Sequence, residues 1–264
     1  MRRGATFWGL ILILIGLIVL LDQFDIFGNL NVWGLIGPLF LVLLGAWILL
    51  GMVIRPKYET VQATIPLEGA TSAQLRFDHG AGRIQVSSGA GSDNLLEGDF
   101  SGGLDKDVHR QTDGVKVRLR MPDQFFSFNF GWDRRGLDWI VRLNPVVKME
   151  IELNSGASEL KVNLEDLQVN RLMLKTGASS SAITLPKNAG LTSVRVESGV
   201  ASVSLRVPEG VSARVRAHGG LASISVDRAR FPRQGGEYCS PDYETAANKV
   251  DISVETGVGS VDIR

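Results

Sequence analysis

One short pattern of alternating apolar and polar residues occurs six times along the chain. In each copy, apolar residues at alternate positions precede a glycine and a second alternating run follows it. The copy around Gly177 has Leu172 and Leu174 before the glycine and Ile183 and Leu185 after it. A period of two is typical of half-buried strands, with one face in a core and the other in water. The six glycines are Gly80, Gly156, Gly177, Gly199, Gly220 and Gly257.

The spacing of the middle glycines indicates how these strands are connected. Positions 156, 177, 199 and 220 differ by 21, 22 and 21 residues. That spacing suits one winding of a solenoid and is too long for a tight hairpin. We therefore predict an all-β, single-stranded β-solenoid (β-helix) with windings of about 21 residues, each stacked on the one before. We expect the glycines at its corners, where a bend favours positive φ. An antiparallel sandwich with regular turns is the alternative.

Two irregular stretches interrupt the predicted β-solenoid domain, which covers 58–264. The first, about 124–140, is rich in aromatic residues, and the second, about 227–248, has the glycines and arginines of a surface excursion. The aromatic stretch has two interpretations, a loop that covers the core or an exposed partner-binding patch, because aromatic residues are enriched at binding hot spots. The candidate partner-binding residues are Phe125, Phe126, Phe128, Phe130, Trp132 and Trp139.

The first 57 residues predict a transmembrane helical hairpin with spans at about 6–22 and 33–54. The second apolar run is long enough to cross a hydrocarbon core of about 30 Å, whereas the first is short for a full span. No small-residue cleavage site follows the first run, so we interpret it as an uncleaved anchor and not as a signal peptide.

The charges beside the two apolar runs predict the orientation of this hairpin. Basic residues flank its two ends, and the only charged residues of the connecting loop are acidic. Because cationic flanks stay in the cytoplasm, we expect a two-pass cell-membrane protein with both termini and the solenoid domain in the cytoplasm. The basic residues are Arg2, Arg3, Arg55 and Lys57, and the loop carries Asp22 and Asp25.

Composition adds few candidates for chemistry. The 28 basic and 28 acidic residues balance, so no nucleic-acid partner is expected. The single cysteine, Cys239, suits a reducing compartment and a structural thiol. The three histidines lack metal-ligand spacing, and no phosphate-binding loop is present. We therefore expect no enzyme, no catalytic residue, no metal and no cofactor.

Outward-facing positions can be aligned through the glycines. Two residues before the glycine, Lys175 and Glu197 fall on neighbouring windings, so we expect them to form a cross-strand pair. Four residues before the glycine, Arg195 and Arg216 fall on consecutive windings, so we expect them to stack as like charges.

Two segments carry a family resemblance. The run Trp-Gly-Leu-Ile-Gly-Pro-Leu-Phe-Leu-Val-Leu-Leu-Gly at 33–45 resembles the membrane module of LiaF-like proteins. The stretch Trp-Ile-Val-Arg-Leu-Asn-Pro at 139–145, with the later Ser-Gly-Ala-Ser, Thr-Gly-Ala-Ser and Ser-Gly-Val-Ala-Ser corners, resembles their C-terminal domain. That domain is related to the toastrack, or "putative adhesin", β-solenoids. The resemblance implies a bacterial envelope-stress protein whose relatives modulate a membrane histidine kinase, and it carries over no catalytic residue.

These observations favour a non-enzymatic, membrane-anchored regulatory protein of the cell-envelope stress response, which contacts the bilayer and a membrane sensor kinase. A self-associating structural scaffold of the bactofilin kind is one alternative, since solenoids with open ends can join as homo-oligomers. An extracytoplasmic adhesin or wall-binding module is another, and it requires the reversed topology.

Overall fold

Alternating apolar residues form the long strands that the sequence predicts, and these strands lie side by side in parallel. The computed structural model describes residues 60–122 and 137–264. The predicted hairpin at 1–57 lies outside the described residues, and so does most of the aromatic stretch. Every element of the described part is a strand, which confirms the all-β prediction. The strands are β1 (Thr60–Pro66), β2 (Ser72–Ser88), β3 (Asn94–Ser101), β4 (Asp105–Arg110), β5 (Gly114–Arg120), β6 (Asp138–Leu143), β7 (Lys148–Asn163), β8 (Gln168–Thr184), β9 (Leu191–Arg206), β10 (Ser212–Val226), β11 (Arg233–Gln234), β12 (Glu237–Cys239) and β13 (Lys249–Ile263).

Six of these strands, each 15 to 17 residues long, carry the six repeats. They pair in parallel, in the order β2-β7-β8-β9-β13-β10. Equivalent positions meet, so that Leu174 lies opposite Leu153 on one side and Val196 on the other. Each strand has an upper leg before its glycine and a lower leg after it, and both legs pair in this way. The pairing is that of stacked windings and excludes the antiparallel sandwich for these six strands.

The core is a set of columns in which apolar side chains from successive windings lie on one another. Phe77, Leu153, Leu174, Val196 and Val254 occupy one column and are all buried. Neighbouring strands in a sheet are about 4.8 Å apart. Branched aliphatic side chains at that spacing are in contact along the whole column, which removes apolar surface from water.

The order of the last two windings differs from the sequential stacking that we predicted. β13 lies between β9 and β10 and pairs with both in parallel. The excursion at 227–248 allows this order, because it carries the chain around the end of the stack and back. Its short strand β12 pairs antiparallel with the upper leg of β10, at Arg214 and Val215. The excursion also buries Phe231 and Tyr243, so it covers part of the last winding.

Further strands extend the opposite end of the stack, first in parallel with β2 and then in antiparallel pairs. The upper leg of β2 pairs with β5, and β5 pairs with β4. The lower leg of β2 pairs with β6, which is followed by β3 and β1. The two legs of the first winding therefore continue into separate ribbons, whereas at the other end only the upper leg of β10 continues, into the short strands β12 and β11.

The six repeat glycines form a single column, and close backbone approach explains their presence. A Cβ added to Gly177 would lie 2.8 Å from the carbonyl oxygen of Gly156, and one added to Gly199 would lie 2.8 Å from that of Gly177. None of the six has a positive φ. The expectation that a left-handed backbone requires glycine at these positions is therefore wrong. Glycine is required here because each winding passes over the next without room for a side chain.

This geometry predicts that Gly177→Ala destabilises the domain by about 1–3 kcal/mol, because the added methyl group overpacks against a backbone that cannot move aside. The free energy of unfolding of the full-length chain in denaturant measures the effect. Gly236→Ala is the matched control, because its Cβ would meet no atom within 4 Å and its φ is not positive. Equal stability of the two variants would contradict the close-approach explanation.

Candidate interaction surface

The aromatic patch predicted from sequence is only partly within the described residues. Phe125, Phe126, Phe128, Phe130 and Trp132 lie outside them. Trp139 belongs to β6 and is 0% exposed. Its ring makes edge contacts with Phe100 at 5.2 Å and with His79 at 4.9 Å between centroids. Trp139 therefore packs in the core and does not lie on an exposed patch. For this residue the core-covering interpretation holds and the partner-binding prediction is wrong.

His79 is a buried polar group in the same cluster. The side chain is 2% exposed, and neither ring nitrogen has a hydrogen-bond partner of ordinary geometry among the described residues. Burial lowers the pKa of His79 to about 4, since an imidazolium ion would lose its hydration, and the nearby Leu137 backbone opposes this shift only in part. The ring is therefore neutral at pH 7 and acts as an aromatic core residue.

The low pKa of His79 predicts a loss of stability in acid. The ordinary pKa of a histidine is 6.5, and that of His79 in the folded chain is about 4. Between these two pH values the unfolded chain binds a proton at His79 and the folded chain does not. Stability from this group is complete above pH 6.5 and falls as the pH falls towards 4, by about 3 kcal/mol. His79→Gln should remove this contribution to the pH dependence of the unfolding free energy, measured in urea from pH 7.5 to 4. His218→Gln, at an exposed position, should retain it, and a wild-type slope in His79→Gln would contradict the assignment.

Charged side chains cover the outer face of the upper legs and largely neutralise one another. Lys175 and Glu197 pair across neighbouring windings at 3.6 Å, as predicted. Arg195 and Arg216 do not stack, because Ser253 of β13 lies between them. Each arginine instead meets a carboxylate of β13: Arg195 lies 3.6 Å from Glu255, and Arg216 lies 3.0 Å from Asp251. The intercalated winding thus replaces a like-charge contact with two ion pairs.

Asp78 holds the first winding to its neighbours on this face. Its carboxylate accepts hydrogen bonds from Arg76 at 3.1 Å, from Arg118 at 2.7 Å and from Asn154 at 2.9 Å. Burial alone would raise the pKa of Asp78, but these hydrogen bonds outweigh burial and lower it. The group therefore joins β2, β5 and β7, and its bonds are satisfied within the domain.

A further surface feature is a column of apolar side chains that lies next to the glycine column. We call it the corner ridge, and it is formed by the residue that follows each glycine. Neighbouring strands place these residues opposite one another. Three of them are large and exposed: Val200 by 58%, Val258 by 44% and Leu221 by 81%. In stacking order the ridge is Ala81, Ala157, Ala178, Val200, Val258 and Leu221.

The corner ridge follows from the sequence repeat, but its exposure does not. Alanine and valine after a glycine suit a packed corner as well as an exposed one. The structure shows that the position after the glycine points out of the stack, since Ile183, Val203 and Val261 fill the core. A contiguous exposed apolar row is a feature of binding surfaces, whereas scattered apolar residues are ordinary. The ridge is therefore the candidate interaction surface of the described residues.

No three histidine, cysteine, aspartate or glutamate side chains come together as a metal site within 60–122 and 137–264. Cys239 is a buried free thiol in this part of the chain. Among the described residues, no helix is long and apolar enough to span a bilayer.

Comparison with known families agrees with this architecture. The sequence pattern of the N-terminal domain of toast_rack, DUF2154, matches residues 54–206, which is more than half of the chain. The chain belongs to the toast_rack family. A search of curated proteins finds no significant match.

One solved structure supports the same fold for the toast_rack chain. A "putative cell adhesion protein" from Clostridium sporogenes superposes with a TM-score of 0.71 at 20% identity, covering 78% of this chain and 99% of its own. At this identity the likeness establishes the fold alone. A "putative adhesin" from Bacteroides fragilis covers 80% of this chain and 100% of its own, at 8% identity and a TM-score of 0.26. That score is too low to establish a shared fold.

Proposed function

We propose that this protein is a non-enzymatic, membrane-anchored regulator of the bacterial cell-envelope stress response, which acts by binding a membrane histidine kinase. The corner ridge is the observation that carries the proposal. It offers stacked apolar side chains at Val200, Val258 and Leu221 beside a face whose charges are paired within the domain. Such a surface suits an apolar partner, for example one side of a helix.

The apolar runs at 6–22 and 33–54 support the membrane part of the proposal. The runs would hold the domain at the bilayer, where a sensor kinase is also located. Regulation then requires only that binding at the ridge differs between two states of the kinase. The rigid stack would present the ridge, and the kinase would supply the change in conformation.

The ridge predicts a loss of kinase binding in a double variant, Val200→Ser with Val258→Ser. Both side chains are exposed, so the change removes apolar contact area at little cost to folding. The full-length chain is purified from native membranes with and without a wall-active antibiotic, and histidine kinases are identified and quantified by mass spectrometry. We expect at least a tenfold lower recovery of kinase with the variant.

A second double variant, Val146→Ser with Leu191→Ser, is the matched control. These side chains are 76% and 55% exposed and lie away from the ridge. Recovery should stay within twofold of the wild type. Equal recovery with both double variants would remove the ridge from the proposal, and recovery of no kinase from wild-type membranes would overturn the function itself.

The cytoplasmic location of the domain is tested by thiol labelling. Cys239 is buried, so the wild-type thiol should react slowly with a membrane-impermeant maleimide even in lysed cells. Val146→Cys places a thiol at an exposed position, which should react in lysed cells and not in intact ones. Labelling of Val146→Cys in intact cells would establish the reversed topology and favour the adhesin alternative.

A further inference from the structure

The last winding of the stack has one leg with an uncovered edge. The upper leg of β10 is flanked by β13 on one side and by β12 on the other. The lower leg, residues 221–226, pairs with β13 but with no second strand among the described residues. We call this segment the open edge. Its outer backbone groups are available for pairing with another strand.

The core is also incomplete at the open edge. Ala222, Ile224 and Val226 occupy the inward columns of the lower leg but are only half-buried. The residues opposite Ile224 and Val226 on β13, Val261 and Ile263, are 1% and 0% exposed. The difference arises because each inner winding is covered on two sides and the last one on a single side. One more strand at this edge would complete these columns.

Other edges of the sheet carry features that oppose strand addition, and the open edge carries none. β4 exposes Asp105, Lys106 and Asp107 in succession. β1 ends in Pro66 with an irregular register between Ile65 and Pro66. Charge, proline and bulges are the usual ways in which edge strands avoid pairing. Residues 221–226 read Leu-Ala-Ser-Ile-Ser-Val, without charge or proline.

We propose that the open edge pairs with the same edge of a second copy, antiparallel and about a two-fold axis, to form a closed homodimer. Side chains that lie opposite in an antiparallel pair share one face. In a register centred on Ile224, the inward residues of the two copies lie opposite one another. Ile224 of one copy faces Ile224 of the other, and on each side of the axis Ala222 of one copy faces Val226 of the other. The small residue thus faces the larger one, and the core columns continue across the axis.

Two further features favour a second copy over an unrelated partner. The segment is uncharged, so two identical edges meet without like-charge repulsion, whereas a charged strand would find no complementary group within 221–226. Its six residues equal the usual length of a strand in a sheet. Two-fold pairing uses the same edge of both copies, so the product is closed at this end. It is a dimer and not the filament that the scaffold alternative requires.

Cross-linking of the full-length chain in membranes tests the dimer directly. Ser223→Cys places an exposed thiol on the open edge, next to the proposed axis. Ser202→Cys is the matched control, because Ser202 lies in the same exposed row, two windings inward. Across the axis the two thiols introduced by Ser202→Cys would be five strand spacings apart, about 24 Å. A bis-maleimide of about 8 Å reach, less than two strand spacings, should therefore cross-link Ser223→Cys to a dimer at least tenfold more than Ser202→Cys.

The stoichiometry of the detergent-solubilised chain gives an independent readout. The wild type should be a dimer by light scattering, and Ser223→Lys should raise its dissociation constant at least tenfold, because two lysines would then lie close together at the axis. Ser202→Lys should change it by less than twofold. A monomeric wild type, a dimer that Ser223→Lys leaves intact, filaments, or a Ser223→Cys cross-link to a different polypeptide would each overturn the proposal. The test is independent of kinase binding, because neither Ser223 nor Ser202 belongs to the corner ridge.

Discussion

The backbone contact between stacked glycines is the constraint on which the rest of this fold depends. Each winding passes over the next with a backbone carbonyl in the place that a Cβ would need, so the two legs of every strand keep the same register. That register aligns the apolar columns of the core, the neutralised charges of the upper leg and the exposed corner ridge. A shift of one residue would move every inward side chain to the outer face.

Ion pairs accompany the non-sequential order of the last windings. The apolar columns continue through the last windings, where Val196 lies opposite Val254 and Val254 lies opposite Ala217. With β13 between β9 and β10, Asp251 lies beside Arg216 and Glu255 lies beside Arg195, and exposed pairs of this kind add about 0–1 kcal/mol each. The excursion at 227–248 supplies the chain length for this order and then covers the upper leg of β10.

The same arrangement places two surfaces with different chemistry next to each other, with Leu221 in both. The corner ridge is a row of side chains along all six windings and suits an apolar partner. The open edge is a row of backbone groups on one winding and suits a strand. The proposed homodimer would use the backbone groups of the open edge, and the proposed kinase contact would use the side chains of Val200 and Val258 on the corner ridge.

The repeat of alternating residues and glycine was sufficient to predict strands, winding length, the Lys175–Glu197 pair and the apolar columns, because these depend on local periodicity and on register. Sequence reasoning could not predict the position of β13, the burial of Trp139 or the exposure of the residue after each glycine. The order of the windings depends on contacts between segments far apart in the chain. Burial depends on which strands flank a residue. Trp139 of β6 lies between β3 on one side and β2 on the other. Only the tertiary structure contains that information, since similar windings are interchangeable in sequence.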